Sequence, residues 1–168
     1  VKLTVLVDTS GSMGTTREGA FAALDIARIT LFVMAYALFN HHEKREALGF
    51  DPFEFEIGLF SDDDGRTQIS HETVKNKDFR KERVLYELWK NVRTKGGTHY
   101  SANLHKYTER LLRSDRAEDV TRILIPITDE DVDEDQIAKV NAIYREAEEE
   151  GAMIFTVPMG NKEQRKRA

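Results

Sequence analysis

The sequence predicts a three-layer, doubly wound α/β open sheet, mostly parallel, with one antiparallel strand near an edge. Three observations carry this. Short apolar runs such as "KLTVLV" at 2–7 and "RILIPIT" at 122–128 read as buried strands, the parallel-sheet type. Segments of helical length and period lie between such runs, and strands alternating with helices build an open sheet with right-handed crossovers. The run "FEFEIGLF" at 53–60 is followed by Asp64-Gly65, a hairpin turn signal, so one neighbouring strand returns antiparallel.

Taken in order, residues 2–7 form the first strand, and residues 18 to about 42 form a long helix that is apolar nearly all round in its middle. Its most apolar part, "ITLFVMAYALF" at 29–39, is shorter than the about 20 residues a bilayer span needs. It is expected to be buried on most sides. In 53–60, Phe53, Phe55, Ile57 and Leu59 alternate with Glu54 and Glu56 before the run turns apolar, which marks a strand near a sheet edge. "TQIS" at 67–70 is the short return. A helix over 79–92 carries Phe79, Val84, Leu85, Leu88, Trp89 and Val92 on its apolar stripe, with Trp89 expected in the core. "TKGGT" at 94–98 breaks it, and a second helix runs from about 101 to 113. Pro126 cannot donate to a central ladder, so it is expected near the end of the 122–128 strand. A helix over 134–150 stops at Gly151, "AMIFTVP" at 152–158 is the last strand, and the domain ends near 160. Residues 161–168 are a polar, basic tail or the start of a truncated continuation.

The 168 residues suffice for one domain with a real core. Without a single Cys, the chain has no disulfide, zinc-thiolate site or Cys nucleophile. A net charge of −5 argues against general nucleic-acid binding, which wants a basic face. No signal peptide is visible and no membrane span is expected in this stretch, which reads as a piece of something longer. The five His residues show no metal spacing.

In an open α/β sheet the ligand site lies beyond the carboxyl ends of the strands, where strand order reverses. The residues there are oxygen donors. "VDTSGSM" at 7–13 places Asp8, Ser10 and Ser12 after the first strand; Thr128 and Asp129 follow the "RILIPI" run; Thr98 lies in the Gly-Gly loop. The two carboxylates of Asp8 and Asp129 and the three hydroxyls of Ser10, Ser12 and Thr98 form a set that suits a hard cation such as Mg²⁺, with Mn²⁺ or Ca²⁺ as alternatives, and leave at least one coordination position for water or an outside ligand. A turn and helix cap would explain Asp8, Ser10 and Ser12 alone, but not the further presence of Thr98 and Asp129.

The D-x-S-x-S run, a distant Thr after a glycine pair and a later T-D resemble, in that order, the von Willebrand factor type A family and its metal-ion-dependent adhesion site. The resemblance covers nearly the whole chain in element order. It implies a Rossmann-like sheet of order 3-2-1-4-5, a metal held by Asp8, Ser10, Ser12, Thr98 and Asp129 in part through waters, and a partner protein whose carboxylate completes the coordination. It also implies a binding module and not an enzyme. Intracellular relatives work in assemblies, often beside ATPases, and extracellular relatives are adhesins; the charge content and absent Cys lean toward a cytoplasmic setting.

Two features depart from the family pattern. Glu130 stands where the family usually has Gly, and the chain stops after its fifth recognisable strand. Of the other acids in "DEDVDED" at 129–135, Asp133, Glu134 and Asp135 read as a helix start that complements the macrodipole. Two rival functions differ in class. One is a hydrolase using the same metal to activate water, for which the sequence supplies no positioned general base beyond the ligands. The other is a scaffold whose metal only props up the fold.

Overall fold

The structure is a computed structural model, and it describes residues 1–14, 22–50, 54–61, 66–70, 80–94, 99–113, 120–129 and 134–159. Among the described residues, six strands form one sheet: β1 (Lys2–Asp8), β2 (Glu54–Phe60), β3 (Arg66–Ser70), β4 (Arg122–Thr128), β5 (Ala152–Ile154) and β6 (Val157–Pro158). The order is β3-β2-β1-β4-β5, with β6 also paired to β4. Every pairing is parallel except β2 with β3. The expected three-layer, doubly wound architecture and its order 3-2-1-4-5 are therefore present. β1 lies at the centre with β2 on one side and β4 on the other, so strand order reverses between β1 and β4.

Among the described residues, four helices flank the sheet: α1 (Ala23–Ala47), α2 (Lys81–Asn91), α3 (Tyr100–Arg113) and α4 (Glu134–Glu149). Two apolar clusters fill the layers. In one, Leu24, Ala27, Leu31, Ala35 and Phe39 of α1 and Leu85 and Leu88 of α2 pack on Val5, Val7, Phe55 and Ile57. In the other, Leu104, Tyr107 and Leu111 of α3 and Val140, Ile143 and Ala147 of α4 pack with Leu6, Phe60 and Leu124. Alternate residues of β1 thus point into opposite layers, which is why its sequence reads as a continuous apolar run. Gly58 of β2 is needed for this packing, because a Cβ there would lie 2.5 Å from the Tyr107 ring. Gly151 ends α4 at φ +81°, a left-handed conformation that favours glycine.

Four sequence expectations are corrected. First, α1 buries one stripe and not most of its surface: Leu24, Ala27, Leu31, Ala35, Phe39 and His42 are inside, while Ile29, Phe32, Val33 and Tyr36 are exposed. Its 25 residues are also long and apolar enough to cross a membrane by length and composition, with a mean hydropathy of 1.4 over an 18-residue window of which 28% is buried. The apolar core of 29–39 understated the helix, because α1 continues past both of its ends. Second, Trp89 is 42% exposed. It meets Phe32 edge to face at 6.0 Å, and the Arg28 guanidinium stacks on it at 5.2 Å.

Third, Pro126 sits inside β4, in register with Leu6, and not near its end. The carbonyls of Leu124 and Thr128 accept bonds from Phe155 and Met159, so even-numbered residues of β4 face the last strand. Pro126 faces that same side at the point where β5 has ended and β6 has not begun, and no donor is required of it there. Fourth, the single last strand over 152–158 is two short pieces for the same reason. Phe79, the Asp64-Gly65 turn and the tail from 161 lie outside the described residues.

Candidate metal centre

β1 delivers Asp8 to the carboxyl edge of the sheet, and β4 delivers Thr128 and Asp129 beside it. The loop after β1 is held tightly. Thr9 donates both its backbone N–H and its hydroxyl to the Phe60 carbonyl at the end of β2, each at 2.8 Å. Ser12–Gly14 form a 3-10 turn, closed by a bond from Gly14 N to Gly11 O and anchored by the fully buried Met13. A Cβ on Gly14 would run into Thr94 Cγ2, so glycine permits the close approach of the chain that leads toward the Gly-Gly loop.

The carboxylate of Asp8 is the hub. Its Oδ1 accepts the Ser10 backbone N–H at 2.8 Å, and its Oδ2 accepts the Thr128 hydroxyl at 2.9 Å across 120 residues of sequence. Asp8 is 1% and Asp129 5% exposed. Burial pushes the Asp8 carboxyl above the usual carboxylate range. The hydrogen bonds from Ser10 and Thr128 oppose this, the negative charge of Asp129 adds to it, and among the described residues no cationic side chain acts on Asp8. Two acids are thus placed in one buried crevice with hydroxyls and backbone N–H groups for company.

This donor set fits a hard dication. Adjacent oxygens around Mg²⁺ at about 2.0–2.1 Å lie about 2.9 Å apart, and Ser10 Oγ and Ser12 Oγ are 2.9 Å apart. A dication would also offset the repulsion between the two buried acids. Among the described residues no group of three or more His, Cys, Asp or Glu side chains could hold a metal. The set therefore depends on hydroxyls, as its sequence pattern implies.

Of the five expected ligands, Asp8, Ser10 and Ser12 share one loop, and Asp129 adjoins them through the β1–β4 pairing. Thr98 and Glu130 lie outside the described residues. His99, the residue after Thr98, donates its N–H to Ser61 O at the end of β2, and Asn103 Nδ2 donates to the same carbonyl and to His99 O. The start of α3 is thereby tied to the strand edge that carries the crevice.

Two residues outside the expected ligand set position it. Thr128 precedes Asp129 in the same motif and orients Asp8, and its hydroxyl at a strand end was the available signal. Thr9 was hidden because its partner is a main-chain carbonyl 51 residues away.

No protein-family model matches the sequence, and a search of curated proteins finds no match. Solved structures do resemble it. A von Willebrand factor type A structure from Catenulispora acidiphila aligns over 92% of this chain and 32% of its own, with TM-score 0.57 and 15% identity. A mutant of the PilB minor pilin from Streptococcus sanguinis aligns over 74% of this chain and 28% of its own, with TM-score 0.51 and 17% identity. The chain spans about a third of the length of these structures or less. At such identities the likeness is one of fold: a Rossmann-like sheet of the von Willebrand factor A type.

Proposed function

We propose that this chain is a divalent-cation-dependent protein-binding module in which Asp8, Ser10, Ser12, Thr98 and Asp129 hold Mg²⁺, or Mn²⁺ or Ca²⁺ in its place. One observation carries the reading: two buried carboxylates share a hydroxyl-lined crevice at the point where strand order reverses, and among the described residues no cationic side chain acts on Asp8. The von Willebrand A type of fold and the order of the motifs support it.

When bound, the cation supplies a Lewis-acidic position that a carboxylate from outside can fill. The chain's own residues do the rest. Ser10 N–H and the Thr128 hydroxyl fix both oxygens of Asp8, so the carboxylate cannot rotate away from the crevice. Thr9 locks the loop to β2, and the 3-10 turn holds Ser12 next to Ser10. A preorganised set of this kind lowers the ordering cost of binding. A partner's Glu or Asp completes the site. The acids at 129–135 disfavour a wholly acidic approach, so the partner carries basic residues around its one liganding carboxylate. The chain acts by binding and not by catalysis, and its charge-rich, Cys-free composition favours an intracellular assembly.

A pull-down from the source cell, run with Mg²⁺ and with EDTA, tests this, followed by alanine substitution of acids in any protein recovered. The expected partner is lost in EDTA, lost with Asp129→Ala, and lost when one of its own carboxylates is removed. A partner retained under all three conditions refutes the mechanism. Turnover of phosphate esters with Mg²⁺ that disappears in Asp8→Ala would favour the hydrolase instead.

A further inference from the structure

We propose that the outer face of α1, together with α2, is the interface of a homodimer built around a two-fold axis near Val33. The opposite side of α1 is already committed to the sheet, so the helix is apolar on both sides while, among the described residues, only one is covered. A helix that is hydrophobic all round belongs in an interior.

Ile29, Phe32, Val33 and Tyr36 of α1 and Tyr86 and Trp89 of α2 are each between 37% and 63% exposed. Together they leave open the equivalent of about three large apolar side chains, roughly 600 Å² at about 200 Å² each. That reaches the upper end of what a monomer ordinarily shows, roughly 300–600 Å², and approaches the about 800 Å² that each partner contributes to a stable interface.

Two features point to a second copy as the occupant. The stretch from Ile29 to Asn40 contains no charged residue, and the cations over the aromatics of this face, Arg28 on Trp89 and Lys81 on Tyr36, are each paired with an acid, Asp25 and Glu43, so an isologous contact along it buries no unpaired charge. Both ends of the helix then carry charges of both signs: Asp25 and Arg28 at one, Glu43 and Lys44 at the other. An antiparallel pair sets these ends against each other without placing charge of a single sign on either side. A two-fold axis at Val33 also puts the small Ala37 of each copy opposite Ile29 of the other, so that large side chains meet small ones. The carboxyl edge that carries Asp8 is not part of this face, so the dimer does not depend on the metal reading.

The absence of Cys makes the test clean. In the 168-residue chain, Val33→Cys is expected to cross-link to itself under mild oxidation, doubling the 19.3 kDa mass, whereas Glu148→Cys on α4 stays monomeric. Sedimentation of the unmodified chain over a concentration series should give a dimer in Mg²⁺ and in EDTA alike. Val33→Glu should weaken it by more than about tenfold with an unchanged circular dichroism spectrum. A monomer at every concentration, equal cross-linking at positions 33 and 148, or a monomer that instead floats with phosphatidylcholine vesicles would each overturn the proposal.

Discussion

The carboxyl edge of the sheet and the outer face of α1 break the usual partition of polar and apolar groups in opposite directions. At the edge, Asp8, Asp129, Ser10 and Thr128 are buried. On α1, Ile29, Phe32, Val33 and Tyr36 are exposed. The edge is organised by specific bonds: each oxygen of Asp8 has a named donor, and Thr9 ties the loop to a neighbouring strand. Among the described residues the helix face has no comparable network. Its aromatics rest on one another and under cations, Trp89 against Phe32 and beneath Arg28, and Tyr36 beneath Lys81. The difference is one of kind. A buried polar cluster needs exact partners and suits a small, hard ligand. An exposed apolar face needs only area and shape, and suits another protein surface.

The largest expected effect separates the two sides of α1. Leu31→Ala, on the buried stripe, should cost about 2–5 kcal/mol in chemical denaturation. A loss below about 1 kcal/mol would mean that this side does not carry the core. At the edge, Thr128→Val removes a buried donor to Asp8. It should cost about 1–3 kcal/mol, weaken Mg²⁺ binding in calorimetry, and move the Asp8 carboxyl further upward. Unchanged metal affinity would show that Thr128 does not orient Asp8.

A subtler effect concerns pH without metal. Because the Asp8 pKa is raised on folding, its ionisation opposes the fold. Stability from this group is complete below the unfolded carboxylate pKa and is lost as pH rises through the folded one. In EDTA, Asp8→Asn should therefore be at least as stable as the unmodified chain at neutral pH, and its stability should fall less as pH rises from the acid side. A steeper fall in Asp8→Asn would contradict the direction of the shift. The smallest effect belongs to the outer face: Ile29→Ala at dilute protein should change stability by less than about 0.5 kcal/mol.

The sheet and its order were legible because buried parallel strands and helical segments leave different periods, and because family order placed the Asp8 and Asp129 strands side by side. The crevice was legible because its donors are side chains at strand ends. What was not legible depends on pairing and packing. Pro126 is tolerated by a break between β5 and β6, which lies in a different segment. Trp89 looked like core because its period matches Leu85 and Leu88, yet it falls at the margin of the α1–α2 contact. The open side of α1 was invisible because an all-apolar helix carries no sign of which side faces the sheet.

The central claim is that the carboxyl edge is built for a divalent cation. Thermal unfolding of the chain in excess Mg²⁺ and in EDTA tests it most directly, with Asp8→Ala beside it. A site filled at 100 times its Kd stabilises by about 2.7 kcal/mol, which for a chain of this size is about 5–10 °C in Tm. The account predicts that rise in the unmodified chain and its loss in Asp8→Ala. Superimposable melting curves in millimolar Mg²⁺ and in EDTA, or an equal rise in Asp8→Ala, would contradict it.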